Sequence, residues 1–155
     1  MPSIIIVGSG PAGISAALYA VRAGVDTTVL TKGPGALDRA EKIENYYGFA
    51  QPVSGADLER RSMENARRLG VQFVTAEAVG LTYTDRLTVE TVGKDYPADA
   101  VILATGASRA VPRLPGLAGL EGHGVSYCAA CDAFFYRGKD VAVLGSGEYA
   151  LHEVQ

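Results

Sequence analysis

The apolar and polar positions fall into a repeating order of short apolar runs and helical stripes. Ile4 to Val7 is an unbroken apolar run, and such a run bounded by glycine reads as a buried strand. Ile14, Ala17, Leu18 and Val21 then recur at the i, i+3, i+4, i+7 spacing of one helix face. Pro11 suits the first turn of that helix and Gly24 its C-terminal cap. Thr27 to Leu30 predicts a second parallel strand, with Asp26 just before it. Residues 33–55 lose all periodicity, and a loop of that length in a compact domain is often functional. Its middle, Ile43-Glu44-Asn45-Tyr46-Tyr47-Gly48-Phe49, either packs aromatics on the core or walls a ligand pocket.

Ser54 with Asp57 predicts a capped helix over about Ala56 to Leu69, ending at Gly70. Its Arg60, Arg61, Arg67 and Arg68 alternate with Glu59 and Glu64 and read as a solvated face. Val71 to Thr75 is the next strand. Val79 to Tyr83 and Leu87 to Val92 form a hairpin through Thr84-Asp85-Arg86, and Lys94 to Tyr96 is a third short strand. Asp99 to Leu103 predicts another buried strand, ending at Ala104-Thr105-Gly106. Residues 107–124, rich in Pro and Gly, read as a linker. Asp140 to Leu144 predicts a last strand, followed by a second glycine turn and the start of a helix. The pattern is α/β: a Rossmann-like domain, with a parallel sheet and an inserted β-meander, over residues 1–112. Residues 113–155 hold the start of a second Rossmann-like domain.

Composition narrows the function classes. With 48% hydrophobic and 20% charged residues the chain is globular. A net charge of −3 without a basic run argues against nucleic acid as a partner. No apolar run approaches the ~20 residues of a membrane span. The N-terminus lacks a basic stretch followed by a long apolar one, so no secretory signal is expected, and a reducing cytoplasm is the default. There, two cysteines are catalytic or metal-binding more often than structural.

Three stretches carry candidate chemistry. Gly8-Ser9-Gly10-Pro11-Ala12-Gly13 sits between strand and helix, where such a turn cradles a dinucleotide pyrophosphate. Gly8 permits the turn, Gly10 admits the phosphates, and Gly13 lets helix and strand approach. The alternative is a plain glycine-rich connection. Thr105 and Gly106 end a strand at the same edge, where α/β ligands sit. No acid stands at the end of the second strand to hold a ribose, and Lys32 there is either solvated or turned to a phosphate. Cys128-Ala129-Ala130-Cys131-Asp132 places two thiols at a spacing that closes a disulfide, with a carboxyl alongside to protonate a leaving sulfur. The other readings are inert buried thiols and half of a zinc site, for which only His123 and His152 are at hand besides the cysteines; no metal is expected. Asp132 alone is equally a helix cap. Gly145-Ser146-Gly147-Glu148-Tyr149-Ala150 repeats the glycine turn with Ala in the third place.

These motifs together, with Ile43-Glu44-Asn45 and Phe134-Phe135, resemble the low-molecular-weight thioredoxin reductase family over the whole chain. Flavoprotein components of alkyl hydroperoxide reductases are similar in the same way. The resemblance implies FAD in the first domain, NADPH in the second, and electrons passing through the cysteine pair to the disulfide of a thioredoxin-like protein. It also implies a homodimer. On this basis Gly8, Gly10, Pro11, Ala12 and Gly13 would hold the FAD pyrophosphate. Lys32, Asn45, Val79, Ala104, Thr105 and Gly106 would line the rest of the FAD site. Gly145, Gly147 and Ala150 would belong to the NADPH turn. Cys131 would face the flavin, Cys128 would exchange with the partner, and Asp132 would supply a proton.

Three features depart from the family. Gly33-Pro34-Gly35-Ala36-Leu37-Asp38 replaces the usual Gly-Gly-Gln-Leu, removing an amide expected near the flavin. Tyr149 stands where a small or polar residue is usual, so that its ring would crowd a pyrophosphate. Family members are also longer, which leads to the expectation that this is the N-terminal portion of such an enzyme and does not complete the NADPH cycle alone. A ferredoxin-linked donor and a nucleotide-binding module without turnover are the competing expectations.

Overall fold

The computed structural model describes residues 1–107 and 112–154. Two compact units make up the chain, Met1–Ser108 and Arg109–Gln155.

The first unit is built on a parallel sheet. β1 (Ser3–Val7) pairs with β2 (Asp26–Thr31) on one side and with β7 (Ala100–Leu103) on the other. β3 (Gln72–Thr75) pairs with β2, giving the order β3-β2-β1-β7 with every pair parallel. Between these strands run α1 (Pro11–Arg22) and α2 (Gly55–Arg68). The sheet is covered on both faces, which is why β1 reads as an unbroken apolar run rather than an alternating one. Ile6 and Val29 pack with Ile14, Ala17 and Ala66 on the helical side. Ile5 and Leu30, one residue along, turn to the other side and meet Val89 and Ala98.

Val89 and Ala98 belong to an antiparallel meander of β4 (Ala78–Tyr83), β5 (Leu87–Thr91) and β6 (Tyr96–Ala98). The third strand lies two residues later than Lys94 to Tyr96. Lys94 is taken up by a turn, where the Thr91 hydroxyl bonds its carbonyl at 2.5 Å and accepts its amide at 3.1 Å. Pro97 lacks an amide hydrogen, and β6 accordingly stands at a sheet edge. Asp99 pins the following corner. Its carboxylate accepts the Ser3 amide at 2.8 Å, the Ser3 hydroxyl at 3.1 Å and Arg86 at 2.9 Å. Those bonds, the Ser3 amide first, hold its carboxyl below the usual value.

Ser54 caps α2 as the sequence indicates, accepting the Asp57 amide at 3.2 Å. The Asp57 carboxylate does not complete a capping box; it pairs with Arg60 at 2.9 Å. The long loop is not structureless. It contains a 3-10 turn (Ala36–Arg39), and Ile43 and Val53 exchange backbone hydrogen bonds of 2.8 and 3.1 Å that draw its arms together.

Two strand expectations are corrected. β7 is not buried: Ala100 and Leu103 are exposed, because among the described residues β7 has a neighbour on one side only. Asp140 to Leu144 forms no strand. The segment has no regular secondary structure and is exposed, and among the described residues no strand pairs with it, so it has no ladder to join. Asp26 also belongs to β2 rather than preceding it.

The second unit is short-range in character. A 3-10 turn (Leu117–Leu120) leads to a bridge between Glu121 and Val125. Then come α3 (Ala129–Asp132), a 3-10 turn (Ala133–Tyr136) and α4 (Glu148–Val154). None of these four elements has a fully buried residue. No helix among the described residues is long and apolar enough to cross a membrane.

Candidate functional site

The first glycine turn is shaped by contacts that exclude side chains. Gly8 has φ +114° and donates its amide to the Leu30 carbonyl at 2.8 Å. A Cβ there would fall inside the Ala104 carbonyl. A Cβ at Gly13 would fall inside the carbonyl of Gly8, so α1 starts in direct contact with the turn. Gly10 differs, because a Cβ there meets nothing within 4 Å. The space over Gly10 is open. Gly10 is the N-cap of α1, and no side chain caps the helix. The first-turn amides of Ala12 and Gly13 therefore face that space without a helical acceptor. Aligned amides, a positive helix end and room for a bulky group fit an anion such as a pyrophosphate.

Around this turn the carboxyl ends of the strands converge. Ala104 donates its amide to the Val7 carbonyl at 2.8 Å, which sets Thr105 and Gly106 beside the turn, both exposed. The Ser9 and Thr31 hydroxyls bond at 2.7 Å, joining the turn to the end of β2. Thr31 also accepts the Gly33 amide at 3.3 Å. Neither Ser9 nor Thr31 was legible as a functional position, since Ser9 occupies a variable place in the glycine motif. A cleft of about 160 Å³ opens between Val7, Leu103 and Thr105 on the sheet side and Gly80, Leu81 and Val89 on the meander. A smaller one lies beside Ser9 and Pro11, with Tyr46 as one wall.

Other expected positions are not gathered here. Lys32 turns to Glu77, 3.3 Å away, and is largely exposed. Asn45 is exposed on the loop, and Val79 is exposed at a break in the β4–β5 register between Ala78 and Gly80. Asp26 pairs with Ser3 at the far end of the sheet, so it does not stand where an acid would hold a ribose.

In the second unit Cys128 and Cys131 are joined as a disulfide, with Cα atoms 5.3 Å apart. Cys128 caps the single turn of α3, and Cys131 lies exposed within it. Asp132 is half-buried and accepts the Ser126 hydroxyl at 2.5 Å. The same Ser126 oxygen accepts the Cys128 amide at 3.1 Å. From α4, the Glu153 carboxylate accepts the Ala129 amide, and the Tyr149 hydroxyl donates to the Tyr127 carbonyl at 3.3 Å. Glu121 accepts the Tyr127 hydroxyl at 3.1 Å, and burial together with that carboxylate raises the phenol pKa. Tyr149 is thus bonded to the backbone before Cys128. Among the described residues, no group of three or more His, Cys, Asp or Glu is placed to hold a metal. In the second glycine turn Gly145 and Ala150 approach closely, whereas the space over Gly147 is open.

The family model for pyridine nucleotide-disulphide oxidoreductases matches residues 2–153. The chain belongs to that family. It is 43% identical, over 97% of its length, to a bifunctional thioredoxin reductase/thioredoxin of Mycobacterium leprae, of which it covers 34%. It is 38% identical over 98% of its length to a thioredoxin reductase of Aquifex aeolicus, covering 48% of that protein. Among solved structures it resembles the thioredoxin reductase of Streptococcus pyogenes with a TM-score of 0.87 and 36% identity, over 97% of this chain and 50% of the other. The family member described here therefore spans about half, or less, of these relatives. The Rossmann-like FAD-binding fold of such reductases is the fold of its first unit.

Proposed function

We propose that the chain carries the FAD-binding and redox-disulfide part of a thioredoxin-reductase-like flavoprotein. Electrons from NADPH, or from another donor, would pass by way of FAD to Cys128 and Cys131, and from them to the disulfide of a thioredoxin-like partner. The observation that carries the reading is the closed Cys128–Cys131 disulfide, in a family member whose first unit has a glycine turn open over Gly10. A half-site for zinc accounts less well for two sulfurs bonded to each other.

FAD would supply reversible two-electron chemistry, taking hydride equivalents on one side and giving electron pairs to a disulfide on the other. The amides of Ala12 and Gly13 would hold its pyrophosphate over Gly10, with Thr105 and Gly106 along the neighbouring strand end. Cys128 would exchange with the partner disulfide, and Asp132 would give a proton to the Cys131 sulfur as the Cys128–Cys131 bond breaks.

The test is spectroscopic. Purified protein is expected to bind FAD and show its visible absorption. Cys131→Ser is expected to keep the flavin and lose the thiol-dependent change in that spectrum. Bleaching by NADPH identifies the donor, whereas bleaching by dithionite alone shows that this chain does not take electrons from NADPH by itself. A colourless protein that takes up no FAD, or a Cys131→Ser variant with unchanged disulfide reduction, overturns the reading.

A further inference from the structure

Ser126 lies outside every motif, yet its hydroxyl is bonded on both sides of the redox pair. Oγ accepts the Cys128 amide at 3.1 Å and donates to Asp132 Oδ2 at 2.5 Å. The Cys128 carbonyl is a further acceptor within reach at 3.3 Å, but a hydroxyl has one proton, and the shorter bond to the carboxyl oxygen takes it. Ser126 thereby links the residue that opens α3 to the residue that follows Cys131. Among the described residues Oδ1 of Asp132 carries no hydrogen bond.

We infer that Ser126 is a positioning residue for Asp132, fixing one carboxyl oxygen so that the other stands ready to transfer a proton to the sulfur of Cys131. This rests on the reading of Asp132 as proton donor given above. When a dithiol reduces the pair, a thiolate of the reductant forms a bond to Sγ of Cys128. The Cys128–Cys131 bond breaks, and its electron pair goes to Sγ of Cys131, which takes the Asp132 proton. The charge then rests on the Asp132 carboxylate, to which the Ser126 O–H is already directed. The second thiol of the reductant releases Cys128, so the reductant ends as a cyclic disulfide and both cysteines as thiols. A donor set in place before charge develops stabilises that charge without reorganisation.

The test needs no flavin. The oxidised 155-residue chain is reduced with dithiothreitol from pH 5 to 9, and the new thiols are trapped by alkylation and counted by mass. Ser126→Ala is expected to slow reduction about tenfold on the acid side of the profile and to change the shape of that profile. Ser126→Thr is expected to restore the rate to within about twofold, and the isosteric Ser126→Val is not. These two variants carry the same comparison if the alanine variant does not fold. Ser126→Ala is expected to add nothing to Asp132→Asn, since it acts through that carboxyl. The inference is overturned if Ser126→Ala or Ser126→Val reduces at the parent rate, or if Ser126→Ala slows Asp132→Asn by the same factor. If Asp132→Asn itself reduces at the parent rate across the profile, the proton-donor reading falls and Ser126 with it. A slow Asp132→Asn beside a normal Ser126→Ala rejects the Ser126 role alone.

Discussion

The chain carries the same glycine spacing twice, in two different settings. Gly8 to Gly13 lies between a strand paired on both sides and a helix of 12 residues, and its Gly8 and Gly13 are in direct contact with backbone. Gly145 to Ala150 follows an irregular segment that pairs with no described strand and opens a helix of 7 residues with nothing fully buried. The motif states which backbone shapes are permitted. The neighbours decide whether they are held. The first turn is fixed by β2 and by Ala104 at the end of β7, whereas the second touches its own Ala150 and is tied through Tyr149 and Glu153 to the backbone of Tyr127 and Ala129.

The comparison breaks most readily in hydrogen exchange. The amides of Ile5 and Ile6, deep in the parallel sheet, are expected to exchange more slowly than those of Val141 to Leu144 by about 10³-fold or more. Equal protection would mean that Val141 to Leu144 has a strand partner in solution. Next in size is Gly8→Ala, expected to cost about 3 kcal/mol, since it combines a positive φ with overlap on the Ala104 carbonyl. Gly145→Ala overlaps the Ala150 methyl but has no positive φ and no carbonyl in its way, and is expected to cost less, about 1 kcal/mol. Urea unfolding of the two variants measures the difference, and equal losses would erase it. Ser54→Ala removes the cap of α2 and is expected to cost about 1 kcal/mol in the same assay.

The smallest effect is acid-dependent. Ser3 and Arg86 hold the Asp99 carboxyl below its usual value. The stability it contributes is present above the ordinary carboxylate range and is lost as pH falls below about 4. Asp99→Asn is expected to lower the melting midpoint slightly at pH 7 and to flatten its decline toward pH 3. An unchanged decline would show that Asp99 takes no part in it.

How far the sequence led follows the same division. β1, its turn and α1 were legible because an apolar run, three glycines and a helical stripe agree with one another. The capped α2 was legible from Ser54, and the hairpin from alternation on either side of Thr84-Asp85-Arg86. What escaped depends on partners distant in sequence. Nothing in Asp99 to Leu103 tells that β7 stands at the end of the strand order. Nothing in Asp140 to Leu144 tells that a strand-like run finds no ladder. The loop over residues 33–55 gave no periodicity because Ile43 and Val53 meet across it through one isolated bridge. At the redox pair the spacing of Cys128, Cys131 and Asp132 was visible, but Ser126 and Glu153 were not. A hydroxyl two residues before a cysteine, and a carboxylate on a later helix, leave no periodic trace.

The two turns are told apart most directly by FAD titration of Gly10→Val and Gly147→Val, since the space above each glycine is open and both variants can fold. A branched side chain at Gly10 would fill the place proposed for the pyrophosphate. Gly10→Val is expected to weaken FAD binding at least about tenfold, and Gly147→Val to leave it within about twofold of the parent. Equal affinities for the two variants, or a loss confined to Gly147→Val, would contradict the assignment of FAD to the first turn.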